Sequence, residues 1–188
     1  IRLTNSDNIE FESCLFENNT TSGSGSVIYA SSSSFNIINC SFIDNIASQG
    51  GAIYLASGTT GLPYQIVNST FYNNIANGAV GNGGAIYFGG AMDVDLINNL
   101  FHSNSAPNGL GQALYSVTNT ANVNLYNNVY YLNGTASSIK IEGANSYADN
   151  GGNVLVENYF GEPNPMTFIS LYPPGTDLFL RTTFLEDG

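Results

Sequence analysis

Phe42 to Leu55 reads FIDNIASQGGAIYL, and the reading of this stretch decides the fold. It opens with F-x-x-N and closes with G-G-A-I followed by an aromatic residue. The same pair of signatures returns along the chain. FENN (Phe16 to Asn19) is followed by GSVIY (Gly25 to Tyr29), FYNN (Phe71 to Asn74) by GGAIY (Gly83 to Tyr87), and FHSN (Phe101 to Asn104) by GQALY (Gly111 to Tyr115). A weaker copy is YYLN, Tyr130 to Asn133. The aromatic heads Phe16, Phe42, Phe71, Phe101 and Tyr130 lie 26, 29, 30 and 29 residues apart. A period of that size marks a solenoid, in which each repeat is one supersecondary unit stacked on the next.

Aligning the copies exposes the strands. Ile9, Phe35, Tyr64, Val94 and Val123 form one apolar column, and Phe11, Ile37, Ile66, Leu96 and Leu125 another two residues on. Between them stand Glu10, Asn36, Gln65, Asp95 and Asn124. Apolar–polar alternation predicts a strand with one face buried. The F-x-x-N block predicts a second strand with its Phe inward, and G-G-A-I-Y a third. Three short strands and three bends per repeat predict a right-handed parallel β-helix of about five coils, right-handed because parallel crossovers have that hand. Residues 1–133 form the repeat coils. Residues 134–188 form a degenerate last coil and a closing segment of the same continuous domain.

Stacking assigns roles. Phe16, Phe42, Phe71 and Phe101 should pile into an internal aromatic column. Asn19, Asn45, Asn74, Asn104 and Asn133 should form a ladder that satisfies backbone groups at a tight bend. Paired glycines allow a positive φ or close approach of backbone. Tyr29, Tyr54, Tyr87 and Tyr115 follow the inner residues Ile28, Ile53, Ile86 and Leu114, so alternation sends them outward. They form either an aromatic ladder along the sheet or an exposed binding stripe suited to a glycan or a protein neighbour. A runner-up geometry puts the tyrosines inside. Cys14 and Cys40 hold one slot in adjacent coils, at a spacing of about 4.8 Å that fits either a disulfide or a stacked pair of buried thiols.

Composition excludes several classes of partner. Hydrophobic residues are 43% of the chain and charged residues only 9%. The formal charge of −11, with Arg2, Lys140 and Arg181 as the basic residues, argues against nucleic acid and anionic membrane. No apolar run approaches the ~20 residues a membrane helix needs. N-x-S/T sequons occur at Asn18, Asn19, Asn39, Asn68 and Asn133. Asn19 and Asn133 fall in the F-x-x-N slot, and Asn39 and Asn68 share another ladder position. A ladder Asn tied to backbone cannot also carry a sugar, which leaves Asn18 as the best acceptor.

F-x-x-N followed by G-G-A-I resembles the repeat of the chlamydial polymorphic outer-membrane proteins, shared by surface proteins with a pectin-lyase-like right-handed β-helix. Four copies, Phe16 to Tyr115, carry the resemblance, and Ser137 to Ile141 (SSIKI) is the degenerate partner of the fifth. The tail is similar to the closing segment of secreted β-helix proteins, with Asn164-Pro165, Asp177 to Leu180 and Thr183 to Gly188 in the corresponding places. The resemblance implies an extracellular or cell-surface location and a part in display or adhesion, within a larger surface or filament protein.

An enzyme reading is weighed against this. A polysaccharide lyase needs acid clusters that hold Ca²⁺ beside Arg or Lys, and a glycoside hydrolase needs two converging carboxylates. Asp93 and Asp95 share a strand face, but their neighbours in adjacent coils are Pro63, Gln65, Asn122 and Asn124. His102 occupies a slot held elsewhere by Glu17, Ile43, Tyr72 and Tyr131, a surface position, and Asp44 is a turn residue. The expectation is a non-catalytic module with no cofactor or metal; the alternative is a carbohydrate-active domain. Ile9, Phe11 and Phe16 enter the pattern without a preceding cap, so the first coil is expected to be covered by an upstream part of the protein or by a neighbouring subunit. The apolar tail segments Met166 to Tyr172 and Leu178 to Leu185 offer a partner surface for such a contact.

Overall fold

The computed structural model describes residues 1–58, 64–117, 121–131, 133, 139–141, 148–149 and 151–156, all within the compact unit Ile1–Asn158. The tail motifs, from Asn164-Pro165 to Thr183–Gly188, and the partner surface expected there lie outside the described residues, as does most of the closing segment.

Every described element is a strand, and every strand pairing is parallel. Three six-stranded sheets run the length of the stack. The first holds Ile9–Glu12, Phe35–Ile38, Tyr64–Val67, Met92–Ile97, Ala121–Tyr126 and Ala148–Asp149. The second holds Leu15–Glu17, Ser41–Ile43, Thr70–Tyr72, Leu100–His102, Val129–Tyr131 and Val154–Val156. The third holds Arg2–Thr4, Ile28–Ser33, Ile53–Gly58, Ile86–Phe88, Leu114–Ser116 and Ile139–Ile141. Ile46–Ala47 and Ile75–Ala76 add a small fourth pairing between the second and third sheets. This is a parallel β-solenoid.

The register is the one the repeat predicts. Phe16 pairs with Phe42, Phe42 with Phe71, Phe71 with Phe101 and Phe101 with Tyr130. Their rings stack at centroid distances of 4.9, 4.7, 4.8 and 4.9 Å, close to the spacing of paired strands. Phe42, Phe71 and Phe101 are fully buried. The first sheet's columns pair the same way, Val94 with Tyr64 and Val123, and Leu96 with Ile66 and Leu125. Ile28, Ile53, Ile86 and Leu114 complete the core from the third sheet. The SSIKI copy also fits, since Ile139 pairs with Leu114 and packs on that core.

A flat pile of like residues needs a chain that turns sharply at every corner. Gly50 and Gly83 show how the third corner is made. Their φ angles are 56° and 68°, and a Cβ at either would meet the carbonyl oxygen of Ile53 or Ile86 at 2.2 or 2.3 Å. No L side chain fits there.

The aromatic column makes one clear forecast. Phe71→Ala should lower unfolding stability by about 3–5 kcal/mol, because the neighbouring rings are held by their own coils and cannot collapse into the cavity. Denaturant unfolding checks this, and a loss under 1 kcal/mol would mean that the stack is not a continuous core.

Candidate functional site

Each coil has a bend after its first-sheet strand and another after its second-sheet strand. Both are built from two residues. The first adopts the left-handed conformation and turns its side chain out; the second points in. At the second bend the outward residues are Asn18, Asp44, Asn73 and Ser103, with φ between 52° and 57°. The inward residues are the predicted ladder. Asn74 uses the whole of its side chain. Its Nδ2 donates to the Phe42 carbonyl at 2.9 Å and to Asn104 Oδ1 at 2.9 Å. Its Oδ1 accepts the Asn45 backbone N–H at 3.2 Å and Asn45 Nδ2 at 2.9 Å. Asn45 and Asn104 repeat the scheme, and Asn133 receives the same two bonds from Asn104.

The first bend carries a second ladder that the repeat alignment missed. Its inward slot runs Cys14, Cys40, Ser69, Asn99, Asn128 and Asn153. Each backbone N–H donates to the next side chain along: Cys40 to Ser69 Oγ at 3.1 Å, Ser69 to Asn99 Oδ1 at 2.9 Å, Asn99 to Asn128 Oδ1 at 2.9 Å. The signal was present in the Asn98-Asn99 and Asn127-Asn128 pairs, which parallel Asn73-Asn74. It was masked because the slot changes residue type. Cys14 and Cys40 are free thiols that belong to this ladder. The Cys14 N–H points at Cys40 Sγ at 3.4 Å, and burial pushes the Cys40 thiol above its usual pKa.

One expectation is corrected here. Asn39 and Asn68 are not inward ladder residues. They are the outward members of the first bend, with φ of 52° and 51°, and both are exposed. Their side chains make no hydrogen bond among the described residues. Asn18, the expected sugar acceptor, occupies the matching place at the second bend and is also exposed.

The bends divide the outside into three faces of different chemistry. On the first sheet Asp95 lies between Gln65 and Asn124, and Asp93 beside Asn122. The amides of Asn122 and Asn124 bind Asp93 and Asp95 at 2.7 and 2.9 Å, so each acid is held by the next coil rather than aimed at a common point. The third sheet carries the tyrosines, outside the core as alternation predicts. They stack at 5.4, 4.6 and 5.1 Å. The Arg2 guanidinium lies 4.7 Å over Tyr29, and Lys140 pairs in register with Tyr115, so a cation stands at each end of the column. The exposed-stripe reading needs correcting: Tyr87 and Tyr115 are only 8% and 5% exposed. Stacked rings hide each other's faces, and Gly89 lies close enough to the Tyr87 ring that a Cβ there would come within 3.2 Å of Cε1. Only Tyr29 and Tyr54 reach solvent appreciably.

The second sheet's outer face differs from both. Its columns read Leu15, Ser41, Thr70, Leu100, Val129 and Glu17, Ile43, Tyr72, His102, Tyr131. Beyond Glu17 no residue of these columns is an acid. His102 is stacked between Tyr72 at 5.2 Å and Tyr131 at 5.1 Å, and its Nδ1 meets the Ser103 hydroxyl at 3.0 Å. Desolvation there holds the imidazole below its ordinary pKa. Across the first bend, Ile38, Val67, Ile97 and Tyr126 extend the apolar surface.

The comparisons with known proteins come down on the repeat. Residues 13–31 and 39–56 match the family model of the Chlamydia polymorphic membrane protein repeat. Over those two stretches the chain is similar to the polymorphic-membrane-protein repeat. The chain is also similar to the probable autotransporter YfaL of Escherichia coli (strain K12), 34% identical over 178 residues, which takes in 77% of this chain and 14% of that protein. The chain thus spans about a seventh of that relative's length. No solved structure matches it.

The ladder's directionality can be tested. Asn74→Ala should cost about 1–3 kcal/mol, because it strands buried donors and acceptors in two coils. Asn19→Ala should cost less, since Asn19 is only half-buried and its amide turns back to its own Glu17 carbonyl at 3.3 Å. Equal losses in thermal or denaturant unfolding would contradict the ladder.

Proposed function

We propose that this chain is a non-catalytic stretch of a surface-exposed β-helix passenger, one whose outer faces make contacts while its interior supplies length and rigidity. The observation that carries this reading is the division of the outside into three continuous faces over a strictly periodic core. The similarity to polymorphic membrane proteins and to a protein named as a probable autotransporter supports an outer-membrane-associated or surface location. An adhesive role follows from the faces rather than from either name.

Asp93 and Asp95 are engaged by Asn122 and Asn124, which favours a structural part for them over acid–base work. In the first coil the ladder presents an open acceptor. Asn45 Oδ1 accepts two bonds from Asn19, whereas Asn19 Oδ1 accepts none among the described residues. Phe11 and Phe16 are only partly buried, and Leu15 is 61% exposed. A further coil with an Asn in the same slot, in the same protein or a neighbouring subunit, would complete each of these contacts.

Incubation with neutral and acidic polysaccharides should give no new reducing ends and no unsaturated products. The double change Asp93→Asn and Asp95→Asn should leave folding and ligand binding nearly unchanged. Turnover that the double change abolishes would instead establish a carbohydrate-active enzyme.

A further inference from the structure

We infer that the outer face of the second sheet, from its second coil onward, is a binding surface for an extended neutral glycan lying along the solenoid axis. The inference rests on the surface-passenger reading and assigns it a face and a ligand class.

The face is set apart by what it lacks. The chain carries a formal charge of −11, yet past Glu17 the columns through Ile43, Tyr72, His102 and Tyr131 hold no acid, the nearest being Asp44 at the bend beside Ile43. Such a charge repels acidic polysaccharides and anionic surfaces, and columns without an acid give a cationic ligand no ion pair, so the ligand that fits is uncharged. The surface is also amphipathic in a regular way. Ile38, Val67 and Ile97 form an apolar row on one side of the first bend. Tyr72, His102 and Tyr131 form an aromatic row on the other, with steps of 5.2 and 5.1 Å. Between the rows stand the exposed carboxamides of Asn39, Asn68 and Asn98, held outward by left-handed backbone and unbonded to other described residues.

A sugar ring has the matching character: C–H groups on its faces, hydroxyl groups around its edge. Apolar contact with a few placed polar groups is the usual basis of ligand recognition. Because the tyrosine and histidine rings stack on one another, they offer edges and the Tyr72 hydroxyl rather than open faces. They would meet sugar hydroxyls, while the aliphatic row meets C–H. The full set stands in two successive coils, Val67, Asn68 and Tyr72 and then Ile97, Asn98 and His102, about 4.8 Å apart, so adjacent units of a linear polymer of similar monomer length meet like contacts. This is not the face of the four stacked tyrosines, two of which are covered.

Titration calorimetry on the whole chain tests the assignment, using linear β-linked hexasaccharides of glucose and of N-acetylglucosamine, with a galacturonate oligomer of equal length as the acidic probe. At least one neutral hexasaccharide should bind and the acidic oligomer should not. Tyr72→Ala combined with Ile97→Ser should weaken binding about tenfold or more, a loss of about 1.4 kcal/mol or more. Asn68→Asp with Asn98→Asp, which suits left-handed bend positions, should weaken it too and covers the case in which the first variant folds poorly. Gln65→Ala, on the polar first sheet, should have no effect. The inference is overturned if neither neutral hexasaccharide binds, if the acidic one binds as well, or if binding survives both the Tyr72–Ile97 and the Asn68–Asn98 double variants. Binding lost only on Tyr29→Ala with Tyr54→Ala would sink this face yet leave the surface-passenger reading standing. Turnover of the bound sugar would sink that reading instead.

Discussion

The structure depends on keeping backbone amides satisfied where the chain bends inside a stack. A solenoid buries the inner side of every bend, and there the N–H of the inward residue meets a side chain of the next coil instead of a carbonyl, as Asn45 and Cys40 do. An inward asparagine solves this because its carboxamide has two donors and two acceptor lone pairs. Asn74 spends all four: on its own coil's neighbour below, on the Asn above, and on the Phe42 carbonyl. Left unpaired, such buried groups would cost on the order of 1–3 kcal/mol each. The interaction is also directional. Between ladder asparagines the bonds run one way, each donating to the Asn of the next coil and accepting from the one before, while Nδ2 also donates back to the Phe carbonyl of the preceding coil, so the array has a sense and a leading edge that presents an acceptor.

The rest of the architecture follows from that pin. With Asn fixed over Asn, the residue three positions earlier is fixed as well, which is why Phe16, Phe42, Phe71, Phe101 and Tyr130 stack with nearly parallel rings. Between the second bend and the glycines, and again after the third-sheet tyrosines, the chain is free to vary in length, and the spacing between heads drifts from 26 to 30 residues without disturbing register. Loop length costs little entropy when both ends are already held. The outer side chains are then released from any part in the core. That release allows three faces of one sheet-walled rod to differ: acid–amide pairs on the first, a cation-ended tyrosine stack on the third, an uncharged aromatic surface on the second.

Most of this was legible in the repeat. Period, strand blocks, inward Phe and Asn, and outward Tyr all come from columns in which like stands over like. The second ladder was not legible, because Cys40, Ser69 and Asn99 share a hydrogen-bonding job without sharing a residue type. The same blind spot put Asn39 and Asn68 on the inside. A column of asparagines suggests a ladder, but the left-handed bend turns that column out and the next one in, a distinction carried by φ and not by identity. Tyrosine exposure failed for another reason: alternation gives the side of the sheet, but Gly89, which lies against the Tyr87 ring, belongs to a connection whose path the repeat does not specify.

The most direct test of the inward carboxamide is to make one titratable. Asn74→Asp keeps the shape and the acceptors but replaces the donating amide with a carboxyl group. If the site is buried and needs a donor, the introduced carboxyl has a folded pKa raised above the ordinary value of about 3.9. The protonated acid retains one donor, so the deficit relative to wild type is smallest below the unfolded pKa. It grows as pH rises and is complete above the raised folded pKa. The exposed control Asn68→Asp should show no such trend. Unfolding free energies measured from mildly acidic to neutral pH should therefore diverge from wild type for Asn74→Asp alone. A deficit that is constant with pH, or equal in the two variants, would contradict the account.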